Sequence, residues 1–413
     1  MASELLIIIT YLMFPIHVSV DGCLPYVTYS PEADMSVPEI IAYHGYPAES
    51  VTATTKDGYI LRMHRIPFGK KVPKYRKVPR SVVFLQHGLL ASSADWVSNL
   101  PNESAAFFFA DSGFDVWMGN VRGNTYSREH VNMTTDDAEY WSFTWDEIMK
   151  YDLEAMINKV LQVTGQKDLY YIGHSQGTLI MLAKLATDQT FAAKIRKFFA
   201  LAPVASVSHI KGLFRYIAKY MYHLPLLEKL LGAHEFLPNS YFIKLISRIL
   251  CGISVTNPLC GNVLFLIAGP ERSQLNQTRL MVYLSHTPAG TSTSNIYHWI
   301  QMVKSGKVQA FDYGSPQINE KHYNQTTPPL YDLSKVNVKT YLFWSESDWL
   351  ADGTDIKESI LNRISKQFLV QNNKLENFNH FDFVIGLRAC DEIYRPILNI
   401  MVDRSNRTMN RPR

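Results

Sequence analysis

The sequence predicts an α/β fold with a mostly parallel central sheet and a long helical insertion. Three observations support this expectation. Short apolar runs typical of strands alternate along the chain with amphipathic helical patterns, which is the signature of an α/β protein. One stretch of more than a hundred residues between two such runs has helical periodicity of its own. A glycine-flanked serine stands between an apolar run and a helical pattern, as in a strand–turn–helix unit.

Six apolar runs are the predicted strands. Each is short and apolar, as expected for strands buried within a sheet. They cover residues 81–86, 115–118, 169–172, 197–201, 338–343 and 367–370. The segment 152–161 repeats its apolar residues at helical spacing and is a predicted amphipathic helix.

The serine of the strand–turn–helix unit is the predicted nucleophile. Gly173, His174, Ser175, Gln176 and Gly177 form the pattern Gly-x-Ser-x-Gly. In a nucleophile elbow the turn is so tight that only glycine fits beside the serine, whose hydroxyl is then held above the sheet. A helix N-terminus there favours a developing negative charge. The alternative is a glycine-rich turn with an idle serine, and the strand and helix on either side favour the nucleophile.

A nucleophilic serine needs a base, and that base needs an acid that orients it. In such folds the acid follows the nucleophile along the chain. Asp348 comes just after the predicted strand 338–343, at the sheet edge where Ser175 is expected, so it is the predicted acid. Asp352 and Asp355 are rivals, although each suits a helix N-cap or a turn.

The predicted general base is His380. It is the only histidine after His322, and it lies in a loop between the last predicted strand and the final helix. The order Ser, Asp, His is then the one expected for a nucleophile elbow. The alternative is a histidine of a surface loop.

The turn after the strand 81–86 is the predicted oxyanion hole. The backbone N–H groups of Leu89 and of Gln176, which directly follows the nucleophile, are the two expected donors. His87 lies near the same place, and we interpret it as a residue that shapes this loop by hydrogen bonding.

These motifs belong to a longer set that resembles a known family. The matching segments are 40–47 (IIAYHGYP), 57–61 (DGYIL), 87–96 (HGLLASSADW), 119–127 (GNVRGNTYS) and 283–292 (YLSHTPAGTS), with the block around His380. From about Pro31 to about Pro396 the chain resembles the acid lipase family of α/β-hydrolases, which includes gastric and lysosomal acid lipases and insect digestive lipases. The resemblance implies the triad Ser175, Asp348 and His380 and the oxyanion donors Leu89 and Gln176.

The insertion is the predicted cap. It covers residues 205–330, which is too long for a connecting loop in a compact domain, and it contains helical patterns at 210–224 and 242–250. The hydrolase core is then expected at 23–204 and 331–413. An apolar cap favours long acyl chains, since each buried methylene contributes about 0.8 kcal/mol.

Ester hydrolysis of neutral lipid is therefore the expected activity, with triacylglycerol as first substrate and cholesteryl ester as second. The expected partner is a lipid ester at a lipid–water interface. No metal or organic cofactor is expected, because the histidines show no metal-ligand spacing. The alternatives are a carboxylesterase or peptidase of the same fold, and an inactive homologue that only binds lipid.

Composition agrees with a globular enzyme. The chain has 413 residues, of which 46% are hydrophobic and 12% aromatic, so it can bury a large core. The net charge of +4 and the absence of a dense basic run exclude a nucleic-acid partner from our expectations. We expect a monomer.

The N-terminus and the sequons predict the secretory pathway. Residues 1–22 are a predicted signal peptide, because the apolar stretch 5–16 is too short to span a bilayer; an uncleaved anchor is the alternative. No transmembrane segment is expected in the remaining chain, and the destination is extracellular or lysosomal. Five candidate glycosylation sites agree with this route: Asn102, Asn132, Asn276, Asn324 and Asn406.

Two of the four cysteines are predicted to form a disulfide. Cys251 and Cys260 are nine positions apart, and in an oxidising compartment a local bridge is the simplest expectation. The bridge also matches a disulfide of the acid lipases, and two buried thiols are the alternative. Many relatives carry a further thiol near this region, where this chain has Ala268.

Overall fold

The computed structural model of this chain describes residues 30–70, 79–220, 234–237, 265, 267–270 and 273–402. Several predictions lie outside these residues: the signal peptide at 1–22, the disulfide between Cys251 and Cys260, the sequon at Asn406 and the helical pattern at 242–250.

A mixed, mostly parallel sheet forms the centre of the molecule. Its strands are β1 (Glu49–Thr54), β2 (Tyr59–Ile66), β3 (Val82–Gln86), β4 (Asp115–Met118), β5 (Glu129–His130), β6 (Leu169–His174), β7 (Ile195–Leu201), β10 (Thr340–Ser345) and β11 (Leu369–Leu375). The order is β1-β2-β4-β3-β6-β7-β10-β11, with β5 paired to β2. All pairs from β4 to β11 are parallel. The predicted fold class is confirmed, and all six predicted strands are present.

The antiparallel side of the sheet was not among the predicted strands. β1 pairs with β2 from Glu49 opposite Arg65 to Thr54 opposite Ile60. The turn between them needs Gly58, whose φ of 99° is in the left-handed region that other residues avoid. β1 is at the edge of the sheet and mostly exposed, so it lacks the apolar run by which a buried strand is predicted.

Helices cover both faces of the sheet. The longer ones are α1 (Val37–Tyr43), α2 (Ala105–Asp111), α3 (Leu153–Thr164), α4 (Gln176–Thr187), α5 (Gly212–Tyr220), α6 (Leu280–His286), α7 (Thr293–Ser305), α8 (Pro316–Tyr323) and α9 (Arg395–Val402). Shorter helical segments are Pro31–Ala33, Ser93–Trp96, Ala138–Trp141, Trp145–Glu147, Ile148–Asp152, Phe191–Lys194, Gln277–Arg279, Leu333–Lys335, Gly353–Ile356, Lys357–Leu361, Asp382–Ile385 and Cys390–Tyr394.

The core lies between these helices and the sheet. Every residue of β3, β4, β6 and β10 is buried, as expected for parallel strands covered on both faces. α3 matches the predicted helix 152–161, and Leu153, Met156, Ile157 and Val160 form its buried face. No helix within the described ranges is long and apolar enough to cross a bilayer.

The insertion is the chain between β7 and β10. Its described residues contain α5 to α8 and a two-stranded ribbon of β8 (Glu235–Phe236) and β9 (Thr291–Ser292). Ile210 precedes α5, so the predicted helical pattern 210–224 begins before the helix does. The Ser292 hydroxyl accepts a hydrogen bond of 3.0 Å from Asn295 N and thereby caps the N-terminus of α7.

Parallel strands end at a common edge of the sheet. Ser175 directly follows β6, the loop with Leu89 follows β3, and Asp348 follows β10. The segment containing His380 follows β11. The topology therefore brings four segments distant in sequence to one edge.

Candidate active site

Ser175 lies in a strained turn between β6 and α4. Its φ of 53° and ψ of −119° are unusual for a residue with a side chain. A Cβ added to Gly173 would lie 2.7 Å from the carbonyl oxygen of Gly177. One added to Gly177 would lie 2.6 Å from the carbonyl oxygen of Gln86. Both glycines are thus required by close backbone contacts, as the sequence pattern predicts.

The structure brings Ser175, His380 and Asp348 together in one hydrogen-bonded chain. His380 Nε2 lies 2.7 Å from Ser175 Oγ. His380 Nδ1 lies 2.9 Å from Asp348 Oδ2 and 3.0 Å from Oδ1. A carboxylate facing Nδ1 keeps the proton on that nitrogen, so Nε2 accepts the hydrogen bond from the serine hydroxyl. All three residues are buried.

Backbone N–H groups hold the Asp348 carboxylate. Its Oδ1 accepts hydrogen bonds from the N–H groups of Leu350 at 2.8 Å and Ala351 at 2.9 Å. These two bonds fix the orientation of the carboxylate that faces the His380 ring, as expected for the acid that orients a general base.

The two rival acids have other partners. Asp352 accepts from Thr354 N at 2.7 Å as an N-cap. Asp355 accepts from His209 N at 2.8 Å and lies 3.0 Å from His209 Nδ1. The His380 ring nitrogens instead bond Ser175 and Asp348.

The predicted oxyanion loop adjoins the serine. A Cβ added to Gly88 would lie 3.0 Å from Ser175 Cβ, so the loop backbone passes directly over the nucleophile. Leu89 follows in this loop and lines the same cavity as Ser175. Gln176 is the first residue of α4, and its N–H therefore has no acceptor within the helix.

His87 has the surroundings of a structural residue. Its Nδ1 donates a hydrogen bond of 2.8 Å to the Gly88 carbonyl, and its Nε2 accepts from Val121 N at 3.3 Å. Complete burial lowers the pKa of His87 to about 4, so the ring is neutral. A neutral ring with both nitrogens bonded shapes the loop, which agrees with our interpretation of the sequence.

Three hydrogen bonds around the site were not predicted from the sequence. The Gln176 side-chain oxygen accepts hydrogen bonds from Trp299 Nε1 at 2.8 Å and from Asn295 Nδ2 at 3.2 Å, both on α7. His174 Nε2 donates to the His380 carbonyl at 2.9 Å. Burial and the nearby His380 lower the pKa of His174 well below its usual value, so it is neutral. His174 stands in the serine motif, but no sequence pattern links Gln176 to α7.

An apolar cavity of about 290 Å³ opens beside the serine. Most of its wall is apolar, with contributions from the core, from α5 and α6 and from the loop after β10. The lining includes Leu89, Leu90, Val204, Ile210, Phe214, Leu237, Ile267, Tyr283, Leu284, Pro288, Trp299, Leu350, Phe381, Val384 and Ile385, with Ser175, His174 and His380. Of the apolar residues in the predicted helical pattern 210–224, Ile210 and Phe214 line this cavity, whereas Leu213 is 44% exposed.

The described sequons differ in exposure. Asn102, Asn132 and Asn324 are exposed. Asn276 is half-buried, and its side-chain N–H donates to Glu103 at 3.2 Å.

In the portion of the chain covered by the structure, no group of three or more His, Cys, Asp or Glu side chains is placed to hold a metal ion.

Comparisons with known proteins show which family the chain resembles. Family models described as a partial alpha/beta-hydrolase lipase region and as the alpha/beta hydrolase fold match residues 37–100 and 81–232. Lipase lipl-1 of Caenorhabditis elegans is 52% identical over 378 residues, which cover 90% of this chain and 92% of that protein. The gastric triacylglycerol lipase of Homo sapiens is 43% identical over 375 residues, covering 90% and 92%.

Structural comparison shows the same fold. A crystal structure from Sulfolobus solfataricus has a TM-score of 0.56 at 12% identity and covers 86% of this chain and 99% of its own. At that identity the likeness concerns the fold alone. The identities to the lipases over nine-tenths of the chain go further: the chain belongs to the acid lipase family of α/β-hydrolases, and it is an ester hydrolase of the lipase class.

Proposed function

We propose that this protein is a serine lipase of the secretory pathway that hydrolyses the carboxylic esters of neutral lipids. Ser175 is the nucleophile, His380 the general base and Asp348 the orienting acid. One observation carries the proposal: the chain of hydrogen bonds from Ser175 through His380 to Asp348 lies against an apolar cavity. A nucleophile, its base and a site for hydrocarbon are then adjacent.

The first half of the reaction acylates the serine. Ser175 Oγ attacks the ester carbonyl carbon while its proton moves to His380 Nε2. The N–H groups of Leu89 and Gln176 stabilise the resulting oxyanion. As the tetrahedral intermediate collapses, the C–O bond to the alcohol breaks and His380 donates its proton to the leaving oxygen.

The second half regenerates the enzyme. A water molecule attacks the acyl carbon, and His380 takes its proton. Collapse of the second tetrahedral intermediate releases the fatty acid, and the proton returns to Ser175 Oγ. Asp348 keeps its negative charge throughout and stabilises the imidazolium.

Triacylglycerol is the proposed first substrate and cholesteryl ester the second. The apolar wall of the cavity supports an acyl site, and a relative with 43% identity is named a gastric triacylglycerol lipase. We propose that the insertion, at 205–330, is a cap that completes this site. The predicted signal peptide and the exposed sequons support the secretory route.

Purified protein assayed on triolein, cholesteryl oleate and ethyl butyrate tests the proposal. Triolein hydrolysis that is abolished in Ser175→Ala is the expected result. Hydrolysis of ethyl butyrate but of neither lipid ester would show that the protein is a carboxylesterase and not a lipase. No reaction with a fluorophosphonate probe at Ser175 would indicate the third class, an inactive lipid-binding homologue.

A further inference from the structure

An acidic side chain lies in the wall of the apolar cavity and has no part in the triad. Asp95 belongs to the short helix Ser93–Trp96 and lines the same cavity as Ser175. Val384 and Ile385 line this cavity too, and they belong to the segment Asp382–Ile385, which packs against the helix Ser93–Trp96. The side chain is partly accessible. Within the residues described by the structure, its carboxyl has no hydrogen-bond partner and no ion-pair partner.

Among the residues that the structure describes, the elements around Asp95 provide no cation for it. Helix Ser93–Trp96 packs against Asp382–Ile385, α6 and β3, and β3 has no titratable side chain. Each titratable or charged group on or near the other elements has a partner elsewhere. Among the ionisable groups, Asp382 accepts a hydrogen bond from Asn379 N, Arg279 pairs with Glu32, and His380 binds Ser175 and Asp348. His286 bonds the Glu32 carbonyl. The hydroxyl of Tyr283 donates to Asn99, and that of Tyr394 donates to the Val384 carbonyl.

We propose that Asp95 determines which acyl chains the cavity accepts. The cavity admits a long acyl chain while the Asp95 carboxyl is protonated and excludes it once the carboxyl is ionised. Short acyl groups, which occupy only the part next to Ser175, are accepted in both states. The inference rests on the proposed function, because it takes the cavity as the acyl site.

The physical reason is the hydration of a carboxylate. An ionised carboxyl without a protein partner must keep its water, and a hydrocarbon chain laid over it would remove that water without replacing it. A neutral carboxylic acid is more weakly hydrated, so the same contact costs it far less hydration free energy. Burial raises the pKa of Asp95 to about 7, because the charged form is the one that burial disfavours. The change of state therefore falls within the pH range of an assay.

The ratio of the kcat/KM values for a long-chain and a short-chain ester isolates this effect. The kcat/KM values for 4-nitrophenyl palmitate and 4-nitrophenyl butyrate are measured from about pH 5 to about pH 9. The triad acts on the same ester group in both substrates, so an effect of pH on the triad itself cancels in the palmitate-to-butyrate ratio. If only the protonated form accepts palmitate, the ratio falls by about tenfold for each pH unit above the pKa of Asp95.

Substitutions at Asp95 and at Asp136 complete the test. Asp95→Asn removes the charge at nearly constant shape, and its ratio should stay high and independent of pH. Asp136→Asn is the control, because Asp136 is an exposed carboxylate outside the cavity lining, and its ratio should follow the wild type. Asp95→Leu, should Asp95→Asn fail to fold, must give the same pH-independent ratio.

A wild-type ratio that does not change with pH would overturn the inference by itself, as would an Asp95→Asn ratio that follows the wild type. Both outcomes leave the proposed function intact. That function would instead fail if neither ester were hydrolysed, or if hydrolysis persisted in Ser175→Ala.

Discussion

The indole N–H of Trp299 donates a hydrogen bond of 2.8 Å to the side-chain oxygen of Gln176, the residue after the proposed nucleophile. Trp299 lies on α7 in the insertion, whereas Gln176 begins α4 in the core. This bond, with a second one from Asn295, joins the insertion to the residue whose backbone N–H is a proposed oxyanion donor. We therefore regard Trp299 as a positioning residue.

Replacing Trp299 by Phe should slow catalysis without weakening substrate binding. The change removes one hydrogen bond worth about 0.5–1.5 kcal/mol, so kcat should fall by roughly 2- to 10-fold while KM for a short-chain ester stays the same. Trp141→Phe is the control, because its indole N–H also donates at 2.8 Å, to the Thr135 carbonyl away from the serine. Equal losses of kcat in both variants would show a general effect on the fold.

Replacing any residue of the proposed triad should lower kcat strongly, by amounts that differ among the three. Ser175→Ala and His380→Ala should each lower kcat by about 10⁴-fold or more, since the members act as a unit. Asp348→Asn should also lower kcat strongly, because the amide no longer holds the imidazole in the right tautomer. The assay is hydrolysis of a short-chain ester by protein of unchanged melting temperature.

Asp352→Asn is the matched control for the acid. It alters an N-cap and the 2.6 Å pair with Lys211 but touches neither His380 nor Ser175. We expect activity near that of the wild type. An inactive Asp352→Asn beside an active Asp348→Asn would transfer the acid role to Asp352.

A buried ion pair should make stability depend on pH. Glu32 accepts a hydrogen bond of 2.7 Å from Arg279 and contacts His44 at the same distance. Although burial opposes ionisation, these partners hold the pKa of Glu32 well below its usual range. A lowered folded-state pKa stabilises the protein above the unfolded value of about 4.3, and this contribution is lost as the pH falls through the folded-state pKa.

Glu32→Gln should therefore lower the free energy of unfolding most at neutral pH. The expected loss there is about 3–5 kcal/mol, because the buried Arg279 loses its carboxylate, and the difference from the wild type should shrink below about pH 4. Urea unfolding at several pH values measures it. Asp391→Asn, which breaks the exposed pair with Arg395, should change little at any pH.

The sequence predicts those features of the fold and the site that are encoded in residues close together along the chain. Buried strands such as β6 have apolar runs, and the serine motif requires its glycines for close contacts, so both are readable from the chain. The exposed β1 has no such run. Asp348, Asp352 and Asp355 are all candidate acids by chain order, and only their partners in space distinguish Asp348. The bond of Trp299 to Gln176 joins residues 123 positions apart, and no pattern predicts it.

The last prediction separates a lipase from a general esterase. Phe214 and Leu213 are adjacent on α5, but Phe214 lines the cavity while Leu213 is 44% exposed. If long acyl chains lie in the cavity, Phe214→Ser should lower kcat/KM for palmitoyl esters far more than for butyryl esters. Removing a buried aromatic contact with the chain should reduce the palmitoyl value by about tenfold or more, since binding energy far from the ester raises the rate only for substrates that reach it.

Leu213→Ser is the matched control, because it makes the same kind of substitution one residue away on the exposed side. Its palmitoyl and butyryl activities should both stay near the wild type, with little change in melting temperature. A Phe214→Ser variant that stays folded and lowers both activities equally would mean that Phe214 only supports the packing of α5. The acyl site would then have to lie elsewhere, and the carboxylesterase alternative would become the better account of the cavity.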